Sequence, residues 1–217
     1  MAVKGRSVIR ENGEVSDGTA TTRLVAIEGA SGVGKSVLAG RLAARLDAVV
    51  VHYPAEFRTF RERIGLDEAI SPLPRMLYYL AGAMHVSQMV ASERTRRSVV
   101  CDRFVASAIG TVIASGAPPA EEIERFVGPL RPFISIPDMT IVLICDHSAA
   151  RLRLEARAAA GGVMSALHRR SLTDRGYFEV SQASIRAEAA RIGPVMEIDT
   201  TEVSLDHVEA WAVAQLP

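Results

Sequence analysis

The chain has 217 residues, of which 48% are hydrophobic and 23% charged, so it can bury the core of one domain. Its 25 basic and 25 acidic residues cancel, which excludes bulk charge as a reason to expect a nucleic-acid or anionic-membrane partner. The two cysteines, Cys101 and Cys145, lie in apolar runs and are typical of small buried hydrophobes, not of a disulfide or metal site.

The first segment, residues 1–23, is too polar and glycine-rich for a secretory signal, and we expect a flexible arm. No apolar run approaches the roughly 20 residues that a membrane helix needs. We therefore expect a cytoplasmic location, no membrane partner, and a single domain over residues 24–217.

A phosphate-binding loop follows the arm. Leu24–Ile27 is predicted to be a buried strand, and the apolar spacing from Val37 to Leu46 predicts a helix. Between them lies an unbroken GxxxxGKS pattern, formed by Gly29, Ala30, Ser31, Gly32, Val33, Gly34, Lys35 and Ser36. In such a loop, backbone N–H groups converge on phosphate oxygens, the lysine reaches the β- and γ-phosphates, and the serine hydroxyl can ligate Mg²⁺. The pattern predicts a nucleotide phosphate site; a glycine-rich turn that binds nothing is the alternative.

The rest of the chain alternates strand-like and helix-like segments, which favours a parallel sheet wrapped by helices with its functional loops on one edge. After the first helix, the predicted order is a strand over 48–53, helices over 57–65 and 72–96, a strand over 98–102, helices over 105–115 and 120–130, a strand over 140–145, a final helix, a strand over 195–198 and a helix over 205–214.

A second chemical signal ends the third strand, at Asp102, Arg103 and Phe104. An acid at this point can reach Mg²⁺, directly or through water, if its strand lies beside the strand of the phosphate loop. Arg103 could hold an anionic group of the acceptor. The alternative is an Asp that caps the next helix and an Arg in a surface ion pair.

A third signal is a basic cluster around Gly161 and Gly162. Arginines beside a glycine hinge suit a lid, about residues 153–176, that closes over transferring phosphates. Arg153 and Arg157 share one helix face because they are spaced i, i+4. A solvated helix face is the alternative. The cluster comprises Arg151, Arg153, Arg157, Arg169, Arg170 and Arg175.

These motifs together resemble those of thymidylate kinases and the related deoxynucleoside kinases. The resemblance is carried by Ile27–Gly29 before the loop, the Asp102–Phe104 triplet, the segment Pro137–Thr140 before a strand, and the arginine-bearing helix. It implies an α/β P-loop NTPase fold with a five-stranded parallel sheet and a small arginine-bearing lid. It also implies that ATP and Mg²⁺ are the donor system, with Ser36 and Asp102 as the Mg²⁺ ligands. The phosphoryl group would be transferred to a nucleoside or its monophosphate. Such enzymes are commonly homodimers, with the helices after the second strand and after the triplet at the interface.

The departures from that family concern the acceptor. Ser31 stands where thymidylate kinases usually carry an acid in the loop. Thr111 and Val112 replace a Tyr-Gln pair that reads thymine, and Ala83 replaces an arginine. Because losing hydrogen-bonding partners can cost orders of magnitude in discrimination, the acceptor need not be dTMP.

The segment after the second strand offers two different acceptor groups. Glu56 could accept a proton from a sugar hydroxyl, whereas Arg58 could hold an acceptor phosphate. The alternative is that Glu56 caps a helix and that the Arg58 side chain is solvated. The predicted function is transfer of the ATP γ-phosphoryl to a nucleoside monophosphate-like acceptor, with Lys35, Asp102, Arg103, Arg153, Arg157 and Glu56 as candidate catalytic residues. A nucleoside or small-molecule hydroxyl kinase and an ATP-binding module without turnover are the competing hypotheses.

Overall fold

The computed structural model describes residues 22–116 and 120–216. The predicted arm, residues 1–23, therefore lies outside the described residues except for its last two.

Five strands form one parallel sheet, as the sequence predicts. They are β1 (Leu24–Glu28), β2 (Val49–His52), β3 (Val99–Asp102), β4 (Met139–Ile144) and β5 (Val195–Asp199). Their order across the sheet is β2-β3-β1-β4-β5, so the chain winds in opposite directions on the two sides of β1. This switch point is where open parallel sheets bind ligands, beyond the carboxyl ends of the strands.

Helices cover both faces of the sheet. They are α1 (Lys35–Leu46), α2 (Ala55–Arg63), α3 (Leu66–Ala69), α4 (Pro72–Glu93), α5 (Val105–Ala114), α6 (Ala120–Val127), α7 (His147–Ala159), α8 (Ala166–Thr173), α9 (Arg175–Ala190) and α10 (Leu205–Gln215), with a 3₁₀ helix over Gly128–Phe133.

The two halves of the core lie on opposite faces of β1, because side chains alternate along a strand. Leu24 and Ala26 pack with residues of α4 and α5. Val25 and Ile27 pack with residues of α1 and α10. Within residues 22–116 and 120–216, no helix combines the length and apolar character needed to cross a membrane.

The region between β4 and β5 has more helices than predicted. Where one final helix is predicted, it contains α7, α8 and α9, and the predicted lid, about residues 153–176, spans the end of α7, all of α8 and the start of α9. Gly161, with a positive φ of 74°, follows the end of α7. The Ser165 side chain accepts the N–H of His168 and caps α8, while that of Asp174 accepts the N–H of Tyr177 and caps α9. These local caps break the segment into separate helices.

The resemblance places helix α5 at a dimer interface. Seven of its ten residues are buried within the chain itself. It packs between α4 and α9. The homodimer itself stays a prediction.

Candidate active site

The phosphate loop connects the buried end of β1 to the start of α1. Gly29 and Gly32 both have positive φ, at 139° and 88°. A Cβ on Gly29 would overlap the carbonyl oxygen of Leu143 in β4, and one on Gly32 would lie 2.8 Å from the carbonyl oxygen of Ala150 in α7. Only glycine satisfies both the conformation and the close approach at these positions. The loop is thereby held against β4 and α7 with its backbone turned towards the edge of the sheet.

Lys35 is the first residue of α1 and is buried, with 5% of its surface exposed. Its ammonium donates a hydrogen bond to the carbonyl oxygen of Ala30 within the loop. Burial lowers the pKa of Lys35 well below its ordinary value, and the nearby Arg103 charge lowers it further, whereas Asp102 and Glu28 oppose the shift. A phosphate anion would favour the charged ammonium in this position.

Asp102 lies at the carboxyl end of β3, beside Ile27 of β1 and His52 of β2 in the sheet register. One of its carboxylate oxygens is 3.4 Å from Nδ1 of His52. The other, Oδ1, is buried and has no hydrogen-bond partner among the described residues. An unsatisfied buried carboxylate oxygen is unusual and suits a cation ligand.

The residues fit the predicted Mg²⁺. Asp102 supplies a carboxylate and Ser36, exposed at the start of α1, supplies a hydroxyl. The described residues contain no group of three or more His, Cys, Asp and Glu side chains that could hold a metal by themselves. Mg²⁺ usually binds through one or two protein ligands with phosphate oxygens and water completing the shell. The pair is therefore suited to a nucleotide-bound Mg²⁺.

Arg103 adopts a left-handed backbone conformation, with φ of 72°. Its N–H donates to the carbonyl oxygen of Ile27 at 3.0 Å. Its guanidinium donates from Nη1 to the carbonyl oxygen of Gly29 and to the hydroxyl of Ser107, both at 3.3 Å. The Arg103 guanidinium therefore lies against Gly29, the first residue of the phosphate loop. Its charge also acts on Lys35.

The two predicted lid arginines lie on α7 in different environments. Arg153 is half-buried and donates to the hydroxyl of Thr200 at 3.1 Å and to its carbonyl oxygen. The Thr200 hydroxyl is 3.2 Å from the carbonyl oxygen of Val33 in the loop, so Arg153 is anchored behind the loop. Arg157, one turn later, is exposed. Its closure over phosphate stays a prediction.

His168 on α8 is a candidate that the sequence analysis missed. Its Nδ1 accepts the N–H of Ser165 at 3.3 Å, which completes a capping box. Burial, followed by the charges of Arg103, Arg157 and Lys35, lowers the pKa of His168 to about 4. The imidazole is therefore neutral at pH 7. The positive charges that lower its pKa are those that lie around the phosphate loop. The Ser165 spacing to His168 is the local sequence signal that could have drawn attention to it.

The acceptor candidates Glu56 and Arg58 lie on α2, which begins three residues after the end of β2. Glu56 and Arg58 are both exposed. Glu56 lines a surface cavity of about 370 Å³ together with Ala55, Thr59, Phe60 and Arg63. In the described part of the chain, no hydrogen bond or ion pair joins Glu56 or Arg58 to Asp102 or Arg103. The catalytic role of Glu56 stays a prediction.

Aromatic side chains occupy the space between the end of β2 and α4. Tyr53 packs edge-to-face on Phe57, with ring centroids 5.6 Å apart. Its hydroxyl lies over Gly82 of α4, where any Cβ would overlap it. The neighbouring Ala83 is buried. This wall of the site is therefore apolar where the kinase family usually has an arginine.

Thr111 and Val112 on α5 also supply no side chain that could recognise a base. The Thr111 hydroxyl donates to the carbonyl oxygen of Ser107 at 2.7 Å, within its own helix. Val112 is 1% exposed and belongs to the core. The predicted loss of a thymine-reading side chain at these positions agrees with both environments.

The family of this chain follows from a comparison with protein-family models. The profile described as "AAA domain" matches residues 24–179, which is more than half of the chain. The chain belongs to the AAA domain family. The match begins with β1, includes the phosphate loop, Asp102, Arg103, Arg153, Arg157 and His168, and ends within α9.

This AAA-domain chain is similar to proteins described as kinases. A probable thymidylate kinase of Methanocaldococcus jannaschii is 24% identical over 136 residues, which are 61% of this chain and 70% of the relative. Among solved structures, a deoxyadenosine kinase from M. mycoides with bound dATP aligns with a TM-score of 0.66 at 15% identity, over 89% of this chain and 98% of the other. A thymidylate kinase from Candida albicans aligns with a TM-score of 0.63 at 18% identity, over 89% and 90%. The predicted fold and the predicted resemblance are confirmed, and the relatives belong to the predicted class of nucleotide and nucleoside kinases.

Proposed function

We propose that this chain transfers the γ-phosphoryl group of ATP, as its Mg²⁺ complex, to a nucleoside monophosphate-like acceptor. The observation that carries the proposal is the arrangement of β1 and β3. It puts the phosphate loop, the unpartnered Asp102 oxygen and the Arg103 guanidinium at one end of adjacent strands. The probable thymidylate kinase of Methanocaldococcus jannaschii supports the same reaction class.

Each group has a role in this reaction. The loop N–H groups and Lys35 bind the β- and γ-phosphates and stabilise the charge that develops during transfer. Ser36 and Asp102 would hold the Mg²⁺, which would supply neutralisation of phosphate charge. Arg103 orients the acceptor phosphate. Arg153 keeps α7 fixed behind the loop, and Arg157 completes the site from the lid.

A monophosphate acceptor fits this group of residues because its attacking oxygen is already ionised. Such an acceptor needs orientation and charge neutralisation more than a general base. The described site offers cations for that purpose in Lys35, Arg103 and Arg157, whereas the candidate base Glu56 is exposed and lines a surface cavity.

A nucleoside or other hydroxyl kinase is the second candidate. It is favoured by the apolar wall at Gly82 and Ala83 and by Thr111 and Val112, whose side chains bond within α5 or lie in the core and so supply no thymine-reading group. The deoxyadenosine kinase from M. mycoides has the same fold.

The test is ADP release from MgATP with a matched panel of dTMP, dAMP, thymidine and deoxyadenosine. Release that depends on a monophosphate supports the proposal. Release that depends on a nucleoside favours the second candidate and predicts sensitivity to Glu56→Gln. Tight ATP binding without acceptor-dependent release would contradict both and favour a binding module.

A further inference from the structure

Helix α5 begins without a side-chain cap of its own. Phe104 stands at the N-cap position, and its ring cannot accept a hydrogen bond from the helix. The first N–H groups of any α-helix lack partners within the helix. Here the carboxylate of Glu28, at the end of β1, accepts the N–H of Phe104 at 3.0 Å and that of Ser107 at 3.1 Å. A strand residue 76 positions earlier in the chain therefore caps α5.

The same carboxylate is connected to Arg103 through Ser107. The Ser107 hydroxyl donates to Oε2 of Glu28 and accepts from Nη1 of Arg103 at 3.3 Å. Arg103 also donates to the carbonyl oxygen of Gly29, the residue that follows Glu28. Glu28, Ser107, Arg103 and Gly29 thus form a closed ring of covalent and hydrogen bonds that joins the phosphate loop to the start of α5.

Glu28 is 1% exposed, so its carboxylate is enclosed by protein. Burial raises the pKa of Glu28, while the hydrogen bonds from Ser107 and the charge of Arg103 act in the opposite direction. A buried carboxylate is costly unless it is hydrogen-bonded and near a positive charge. The three hydrogen bonds and Arg103 meet both conditions.

The backbone of Arg103 also requires support. A non-glycine residue in the left-handed region is strained and persists where its surroundings hold it. The N–H of Arg103 bonds to Ile27, and its neighbour Phe104 bonds to Glu28. Both restraints come from the last residues of β1.

We infer that Glu28 is a positioning residue that holds Arg103 against the phosphate loop, so that the acceptor-orienting arginine and the donor site keep a fixed relative geometry. This inference rests on the proposed function, in which Arg103 orients the acceptor. Glu28 contacts neither phosphate nor metal in this role, and it acts through Ser107 and the turn at Arg103.

The test compares Glu28→Gln, Glu28→Ala and Ser107→Ala with a matched control, Glu188→Gln. Glu188 is also a buried glutamate, 3% exposed, but it pairs with Arg131 and Arg191 on the far side of α9. We expect Glu28→Ala to lower kcat about 100-fold, as for a catalytic group displaced by about 1 Å, with KM for ATP changed less than about threefold. Glu28→Gln, which keeps an oxygen for the two N–H groups, should recover part of that loss. Ser107→Ala should fall between them, and Glu188→Gln should keep kcat within about twofold.

The result that overturns the inference is a folded Glu28→Ala or Glu28→Gln variant with unchanged kcat. If Glu28→Ala does not fold, Ser107→Ala and Glu28→Gln decide in the same way. If the wild-type chain transfers phosphate to no acceptor in the panel, the proposed function fails by itself. The positioning role is then read from the Arg103 guanidinium signal by NMR. A broadened or shifted signal in Glu28→Gln but not in Glu188→Gln supports the role, and identical signals contradict it.

Discussion

The donor and acceptor halves of the site are built in different ways. The donor half is one continuous segment, Gly29–Ser36, whose shape is set by glycines that leave no room for a Cβ. The acceptor half is assembled from the ends of β2 and β3 and from α4, where Tyr53 lies over Gly82. A continuous loop can be recognised from its pattern, whereas an assembled wall depends on which side chains the fold brings together.

The two halves also differ in charge. Lys35 and Arg103 lie at the donor loop, and their charges act on His168 across the site. Along α4, by contrast, the wall at Gly82 and Ala83 is apolar. Under the proposed function, this difference separates the phosphate-binding part of the site from the part that would contact the rest of the acceptor.

The largest expected effect is in the donor half, for Lys35→Ala. We expect kcat to fall about 10³-fold, because a preorganised charge that stabilises the transferring phosphoryl is lost. The fold should persist, since the lost ammonium is a buried charge with a desolvation cost. Steady-state ADP release and a thermal melt measure the two quantities. Near-full turnover in a folded variant would contradict the donor role.

A smaller effect is expected for the lid, in Arg157→Ala. Removing one guanidinium that neutralises developing charge should lower kcat about 10- to 100-fold. Arg97→Ala is the control, because Arg97 is an exposed arginine that pairs with Glu93 at the end of α4. Equal kcat values for Arg157→Ala and Arg97→Ala would mean that Arg157 does not close over the transferring phosphate.

Lowering the pH should reduce the free energy of unfolding through protonation of His168. The pKa of His168 is about 4 in the folded chain and about 6.5 in the unfolded one, so the unfolded chain binds more protons between these values. The free energy of unfolding should therefore fall as the pH is lowered from 6.5 to 4, by about 3 kcal/mol at most. Urea unfolding of wild type and His168→Gln across this range measures it. Parallel curves for the two proteins would contradict the buried neutral imidazole.

The smallest effect is expected in the acceptor half, for Glu56→Gln. With a monophosphate acceptor, kcat should change less than about threefold, because no general base is required. Glu62→Gln, an exposed glutamate on the same helix, is the control. A selective loss of about 100-fold or more in Glu56→Gln would instead assign Glu56 as a base for a hydroxyl acceptor.

The parts of the molecule that could be predicted are those with local signals. The apolar runs that become β1 to β5 identify the sheet, and the glycine pattern identifies the phosphate loop. The helices α7, α8 and α9 also carry local signals, the caps at Ser165 and Asp174, which the prediction of one final helix overlooked.

The roles that could not be predicted depend on contacts between distant residues. Glu28 bonds to Ser107, 79 positions later. Arg153 bonds to Thr200, 47 positions later, and not to its own helix. His168 meets the charges of Lys35 and Arg103 only when α8 packs near the loop. Such pairings follow from topology and packing, for which a single sequence has no local pattern.

The most direct measurement is acceptor-dependent ADP release from MgATP by the wild-type chain, with Lys35→Ala measured in parallel. The proposed function predicts release that depends on a nucleoside monophosphate and is lost in Lys35→Ala. The absence of release with every monophosphate and nucleoside tested, in a wild-type chain that binds ATP, would contradict the kinase function.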